Sequence, residues 1–273
     1  MAATGEGRAP GDRPSGAVPA DAGEDADADG AAQGRRVIGL LWDPPAAGAR
    51  GPRQRLSLEQ VVRAGVALAD ADGFEALSMR GLAKRLGVGA MTLYTYVPGK
   101  AELFELMIDW AYGERALPAA RLGWRQRYEQ HAREALGMYR RHPWLLHSNL
   151  WRLPLGPHVL DVNEDMLRIG AEAGLGPDAR VRVASLLESY IFGMARGEVA
   201  DRAEVLRTGE SVDDYWAARA SFWDTYFDPA RFPTMLATWE GGGFEQSLDA
   251  ERDLDFALDL ILDSVERLVA ATR

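Results

Sequence analysis

The sequence predicts an all-α protein with a small N-terminal domain and a larger C-terminal helical domain. Apolar residues recur every three or four positions through most of the chain from residue 57 onward, which is the helical period. Several of these segments begin at or next to proline, which a helix accommodates in its first turn. Beyond residue 118 the predicted helices are 124–141, 143–148, 157–173, 177–201, 211–226, 229–239 and 246–271. No alternating strand pattern with hairpin-type turns accompanies them.

The amino-acid composition and the absence of common motifs exclude several classes of protein function. The chain has 273 residues, 47% of them hydrophobic and 26% charged, as in globular proteins. It has no cysteine, which excludes disulfides, thiolate metal sites and a cysteine nucleophile. Neither a long apolar run nor a secretory leader pattern is present, so we expect a cytoplasmic protein. The common nucleotide-binding, metalloprotease and serine-hydrolase motifs are also missing, so we expect no catalytic residues, cofactor or metal.

The charge is distributed unevenly along the chain. The formal net charge is −10, but residues 35–100 carry ten basic and five acidic side chains, a net of +5. Residues 101–273 have a net charge of −10. Residues 1–34 have a net charge of −5 and are rich in Ala, Gly, Pro and Asp, so they are predicted to be a disordered acidic tail. The one basic segment indicates where a nucleic acid would bind.

Residues 35–56 are predicted to form a basic arm or linker. The apolar patch 37–42 is followed by Asp43-Pro44-Pro45, which stops a helix. Three arginines then fall within residues 50–55 on a flexible Gly/Pro backbone. Two interpretations stay open for this run: a solvated linker, or an extension in which Arg53 and Arg55 contact DNA.

The segment 57–103 has the pattern of a helix-turn-helix domain. Ser57 and Gln60 fit a capping box, and Gly73 is predicted to end the helix with a left-handed cap. Ser78 caps a second helix, a Gly-Val-Gly turn at 87–89 follows, and a short helix runs from residue 90 to 96. A fourth helix is predicted from Lys100 to about residue 117. A tight turn between two short helices can project the second helix into the major groove of DNA.

The stretch from Ser78 to Leu103, SMRGLAKRLGVGAMTLYTYVPGKAEL, resembles the DNA-binding domain of the TetR family of bacterial transcriptional regulators. The resemblance covers roughly residues 57–110 and rests on the frame LA..LGV....LY.Y...K..L. It implies contacts to base edges or phosphates from one outward-facing set: Ser78, Arg80, Ala90, Met91, Thr92, Tyr94, Thr95, Tyr96 and Lys100. The alternative for Tyr94 and Tyr96 is that they are half-buried core residues.

The resemblance also implies that residues 104–273 form a tetracycline-repressor-like domain for ligand binding and dimerisation. This part of the chain is rich in aromatic residues, and a concave aromatic site with a few polar groups suits a small molecule. Each candidate can instead be a core residue. The candidates are His131, Trp144, His147, Asn149, Trp151, Met166, Tyr190, Met194, Trp223 and Phe227.

Two C-terminal helices are predicted to form a homodimer, at about residues 177–201 and 246–271. The apolar face of the first helix includes Leu187 and Ile191. The last helix has an apolar stripe too wide for a single neighbour. The sequence therefore predicts a regulator that binds operator DNA, most often a repressor, released by a small hydrophobic or aromatic effector. A DNA-binding regulator without a ligand, and an α-helical enzyme, are the alternatives.

Overall fold

A computed structural model of the chain describes residues 21–44, 56–244 and 249–271. Within these ranges every regular element is helical, which confirms the predicted fold class. The N-terminal helices are α1 (Asp21–Trp42), α2 (Leu58–Asp72), α3 (Met79–Arg85), α4 (Ala90–Tyr94) and α5 (Lys100–Tyr112). The C-terminal helices are α6 (Trp124–Arg141), α7 (Pro157–Ala173), α8 (Pro177–Thr208), α9 (Val212–Ala217), α10 (Ser221–Thr225), α11 (Pro233–Glu240) and α12 (Ala250–Ala271).

Helix α1 differs from the prediction for the N-terminal region. Residues 21–34 were expected to be disordered and 35–42 to belong to a linker, but both lie in one helix. Tertiary contacts explain the difference: Val37 is buried, Gln33 donates a hydrogen bond to Glu102 at 2.9 Å, and the Trp42 indole donates to the carbonyl of Leu155 at 2.7 Å. The helix ends at Trp42, before the predicted proline stop. Residues 1–20 lie outside the described residues.

The helix-turn-helix segment follows local sequence rules closely. Ser57 and Gln60 form the predicted capping box at the start of α2, and the Ser78 hydroxyl accepts from the Gly81 N–H at the start of α3. Gly73 does have a positive φ of 83°, but its ψ of 164° is not that of the predicted left-handed cap. Gly87 adopts a φ of 68° in the turn before α4, a conformation that favours glycine.

The C-terminal domain is a bundle built mainly from α6, α7 and α8, with α12 added to it. The predicted α6 and α7 have the expected bounds, whereas α5 ends at Tyr112 rather than near residue 117. The long helix α8 continues past its expected end at residue 201 to Thr208. The helix expected over 211–226 is instead split into α9 and α10.

One apolar core joins the N-terminal helices to the bundle, so α5 contacts both domains. Leu187 and Ile191, which were expected on a dimer face of α8, are buried in this core. In α12, Leu254, Leu258 and Leu262 are buried in the same way. Among the described residues, no helix combines the length and the apolar character needed to cross a membrane.

Candidate nucleic-acid interface and ligand cavity

Helix α4 has one face buried against the core and the opposite face exposed to solvent. Leu93 and, just after the helix, Val97 are completely buried and fix α4 against the core. On the opposite face Met91 is 79% exposed and Tyr94 is 45% exposed. A short helix held from behind in this way offers its outward side chains to a groove about 12 Å wide. The arrangement is the one that helix-turn-helix DNA readers use.

The other residues predicted to contact DNA fall into two groups. Arg80, Thr92 and Thr95 are exposed, and so is Ser78, whose hydroxyl caps α3. In contrast, Ala90 and Tyr96 are half-buried and pack against the core, so the core alternative describes Tyr96 better than Tyr94.

Lys100 already has partners within the protein. Its ammonium group donates to the Phe74 carbonyl at 3.2 Å and lies 4.3 Å from the centroid of the Phe74 ring. This places the positive charge at the N-terminal end of α5, where the backbone N–H groups also favour an anion. Arg53 and Arg55 lie outside the described residues.

A cavity of about 330 Å³ lies in the C-terminal domain between α7 and α8. Tyr112 at the end of α5 and the segment 150–153 complete its wall. Most of the lining is apolar, and its size suits a small aromatic molecule. Two of the residues predicted from the sequence, Trp151 and Met166, line this cavity.

A second, more open cavity of about 960 Å³ lies along the other side of α8, towards α9 and α12. Tyr190 and Met194 line it, and the Tyr190 hydroxyl donates to the carbonyl of Asp253 at 3.1 Å. Four carboxylates also lie in its wall: Glu198, Asp201, Asp213 and Asp253. The predicted ligand residues are therefore divided between two sides of α8.

The remaining predicted ligand residues are not among those that line either cavity. His131 is buried in an ion-pair network, and Trp144 is buried between the two domains. His147 is exposed and stacks on Phe74. Asn149 is also exposed and accepts a hydrogen bond from the Trp151 N–H.

Trp223 and Phe227 belong to a separate aromatic cluster formed by α10, α11 and their connection. The Trp223 ring lies 5.2 Å from both the Phe227 and the Trp239 rings, and Phe227 stacks on Phe232. None of the residues in α9, α10 or α11 is buried. A high density of aromatic residues in the sequence therefore does not distinguish this surface cluster from the interior of the bundle.

Sequence reasoning missed the polar residues in the inner wall of the first cavity. Glu188 on α8 lines the cavity, and its Oε1 accepts from Arg115 Nη1 at 2.9 Å. Arg115 is itself buried and donates to the His131 carbonyl at 3.1 Å. A signal was available, because Glu188 is the only charged residue between Val183 and Met194. A lone charge in an amphipathic helix is a candidate for a buried pair or a site.

The ion-pair network continues behind the cavity. His131 Nε2 lies 2.8 Å from one carboxylate oxygen of Asp165, and Arg127 donates to the other at 3.1 Å. Burial lowers the pKa of His131, and its hydrogen bond with Asp165 offsets this only in part. Because the charges are paired, this network fixes α6 against α7 and α8 without leaving an isolated buried ion.

Two polar contacts connect the helix-turn-helix domain and α5 to the bundle. His142 lies 2.8 Å from carboxylate oxygens of both Asp70 and Glu114, and the Trp144 indole donates to Asp70 at 2.6 Å. Asp109 on α5 is the second contact. It caps the first turn of α7, where it accepts from two backbone N–H groups at 3.0 Å. A shift of α7 can thus be transmitted to α5 and to the short helix that precedes it.

Comparison with known proteins agrees with this architecture. The family model described as bacterial regulatory proteins, tetR family, matches residues 61–107, and the model for the tetracyclin repressor-like C-terminal domain matches residues 117–269. A relative in Streptomyces coeruleorubidus, the HTH-type transcriptional repressor DrrR1, is 39% identical over 243 residues, which is 87% of each chain. An HTH-type transcriptional regulator of Saccharopolyspora erythraea is 30% identical over 70% of this chain and 87% of its own length.

Solved structures show the same fold. Apo ActR from Streptomyces coelicolor matches with a TM-score of 0.67 at 22% identity, covering 81% of this chain and all of ActR. ActR in complex with actinorhodin matches with a TM-score of 0.66 at 24% identity, covering 78% of this chain and 96% of ActR.

Proposed function

This chain belongs to the TetR family of bacterial regulatory proteins, and we propose that it is a dimeric transcriptional repressor that a small aromatic or apolar effector releases from operator DNA. The observation that carries the DNA-binding part is the exposed face of α4. Met91 and Tyr94 lie on this face while Leu93 is completely buried behind them. An exposed apolar side chain beside hydroxyl groups suits the methyl groups and polar edges of bases in the major groove.

Dimerisation through α8 and α12 is supported by exposed apolar side chains on these two helices. Both helices carry large apolar side chains that are at least half exposed: Val181, Leu186 and Leu206 on α8, and Phe256 and Leu260 on α12. A Cβ atom added at Gly193 or Gly197 on α8 would contact no other atom of the described residues. A second copy related by a two-fold axis would cover these positions and bring two recognition helices onto one operator.

The proposed release by an effector rests on the cavity between α7 and α8. A bound molecule contacts α7, and the N-terminus of α7 is held to α5 by Asp109. An effector that binds one arrangement of α7 more tightly shifts the population towards that arrangement. In a dimer this changes the separation of the recognition helices, which must match half-sites about 34 Å apart.

The DNA interface is tested with a DNA fragment that the protein itself selects from a random pool. Tyr94→Ala and Lys100→Ala are each expected to weaken binding by roughly tenfold or more, since single base or phosphate contacts contribute about 1–3 kcal/mol. Gel-shift titration measures the affinity, and size-exclusion chromatography checks the dimer. Tyr226→Ala is the control, because Tyr226 is an exposed tyrosine far from α4 in the chain. Unchanged DNA affinity in both variants would refute this interface.

A further inference from the structure

The inner wall of the cavity between α7 and α8 contains two polar groups without a partner. Oε2 of Glu188 and the hydroxyl of Tyr112 are both buried, and neither has a partner in hydrogen-bond geometry among the residues that the structure describes. The Tyr139 hydroxyl, which also lacks such a partner, interacts with the Tyr112 hydroxyl. Both residues line the cavity. A buried acceptor and a buried donor that remain unpaired destabilise a protein, and a ligand that pairs them gains affinity from doing so.

The carboxylate of Glu188 is held in place and its charge is already compensated. Its other oxygen, Oε1, accepts from Arg115 Nη1 at 2.9 Å, and Arg115 is fixed in turn by the carbonyl of His131. The Glu188 side chain is 18% exposed and Arg115 is 1% exposed, so the pair spans from the cavity wall into the core. Because Arg115 neutralises the carboxylate, Glu188 Oε2 is better suited to accept a hydrogen bond from a neutral group than to bind a second cation.

The hydroxyl of Tyr112 remains a donor over the physiological pH range. Burial, reinforced by the nearby negative charge of Glu188, raises the pKa of this hydroxyl above its ordinary value. The rest of the lining is mostly apolar and includes Trp151, Leu153 and Met166, together with the polar side chains of Asn163, Ser185 and Ser189. The cavity therefore combines a mostly apolar lining with one buried donor and one buried acceptor that are unpaired.

We propose that the effector is an aromatic molecule carrying a neutral hydroxyl group, which donates a hydrogen bond to Glu188 Oε2 and accepts one from the Tyr112 hydroxyl. This inference rests on the proposed role of the cavity as the effector site. A single hydroxyl can do both, because its oxygen is a donor and an acceptor at once. A site built to bind a hydroxyl rejects an analogue without one, because the buried protein groups are then left unpaired. Glu188 and Tyr112 are thus the specificity-determining residues.

Three probes of similar shape test the proposal: 2-naphthol, 2-methoxynaphthalene and naphthalene. Their affinities for the full-length dimer are measured by isothermal titration calorimetry. The wild-type protein is expected to bind 2-naphthol about tenfold more tightly than 2-methoxynaphthalene, which can accept but cannot donate. Glu188→Gln keeps the size of the side chain and its acceptor towards Arg115, but presents an amide donor where Oε2 stood. This variant is expected to bring the ratio of the two affinities to about one or to reverse it.

A second variant and a control make the test independent of one substitution. Tyr112→Phe retains the ring and removes only the hydroxyl, so it is expected to weaken 2-naphthol binding about fivefold while naphthalene binding stays unchanged. Glu164→Gln on the exposed face of α7 is the matched control and should keep the wild-type ratio. Thermal unfolding confirms that each variant is folded, and Tyr112→Phe decides the question if Glu188→Gln does not fold.

The outcomes separate the proposal from the function on which it rests. Equal wild-type affinity for 2-naphthol and 2-methoxynaphthalene, or an unchanged ratio in Glu188→Gln, would overturn recognition through Glu188 while the cavity remained an effector site. Failure of the folded wild-type dimer to bind any of the three probes would overturn the effector site as well. A loss of preference in Glu188→Gln together with a selective loss in Tyr112→Phe supports both.

Discussion

Asp109 is expected to be the most important single polar residue for holding α7 onto α5. Its carboxylate accepts from the N–H groups of His158 and Val159 at 3.0 Å and lies 2.9 Å from Nδ1 of the His158 ring. The side chain is buried, and it lies at the N-terminus of a helix, where a negative charge is favourable. Asp109→Ala removes these hydrogen bonds and leaves backbone donors without an acceptor.

The size of the effect follows from these contacts. A hydrogen bond to a charged group contributes about 1.5–3 kcal/mol, and the exposed ring of His158 recovers its hydrogen bond from water. Loss of the two backbone contacts then amounts to roughly 3–5 kcal/mol. For a chain of this size, about 2–4 °C in Tm corresponds to each kcal/mol, so we expect Tm to fall by roughly 6–20 °C.

The measurement is thermal unfolding of wild type, Asp109→Ala and Asp161→Ala at equal protein concentration. Asp161 lies in the second turn of the same helix and is exposed, so its removal is expected to cost less than about 1 kcal/mol. If Asp109→Ala unfolds within about 2 °C of wild type, the assignment of Asp109 as the cap of α7 is wrong.

Further predictions concern close packing and pH. Gly156→Ala is expected to destabilise by about 2–4 kcal/mol in chemical denaturation, since its Cβ would lie 2.1 Å from Asp109 Oδ1. Gly176→Ala is the matched control, because Gly176 also precedes a proline-initiated helix but faces open space, and a cost above about 1 kcal/mol there would contradict the steric argument. Burial lowers the pKa of His131 in the folded protein, so as pH falls the unfolded chain binds a proton at this residue before the folded chain does. The free energy of unfolding should therefore decline as pH falls below about 6.5. In His131→Gln the free energy of unfolding, measured by urea titration between pH 7 and pH 5, should depend less on pH; an unchanged slope would exclude His131 as the cause.

The agreement between sequence and structure is closest where local chemistry sets the backbone. The caps at Ser57 and Ser78 depend on hydrogen bonds between residues within one helical turn. Such contacts form between neighbours in sequence, so the sequence is sufficient to locate them. The same holds for the buried Leu93 and the exposed Met91 of α4, whose opposite faces follow from helical periodicity.

The cavity between α7 and α8 could not be located in the same way. Trp144 and Trp151 are only seven residues apart and equally aromatic, yet Trp144 is buried between the domains while Trp151 lines the cavity. The two side chains are chemically identical, so composition does not distinguish the buried Trp144 from Trp151, which is 83% exposed at the cavity. The positions of both depend on how α7 and α8 pack.

The sequence by itself determined that the chain is helical, where the helices of its DNA-binding segment begin, and which segment carries positive charge. It did not determine where they end: the short helix predicted over 90–96 ends at Tyr94, and α5 ends at Tyr112. The tertiary structure decided that α1 is a helix, because Gln33 and Trp42 form hydrogen bonds with residues far along the chain. It also decided which polar groups meet at the cavity, since Tyr112 and Glu188 lie on different helices. Local propensities and capping act between neighbouring residues, whereas contacts such as these form only when distant segments pack together.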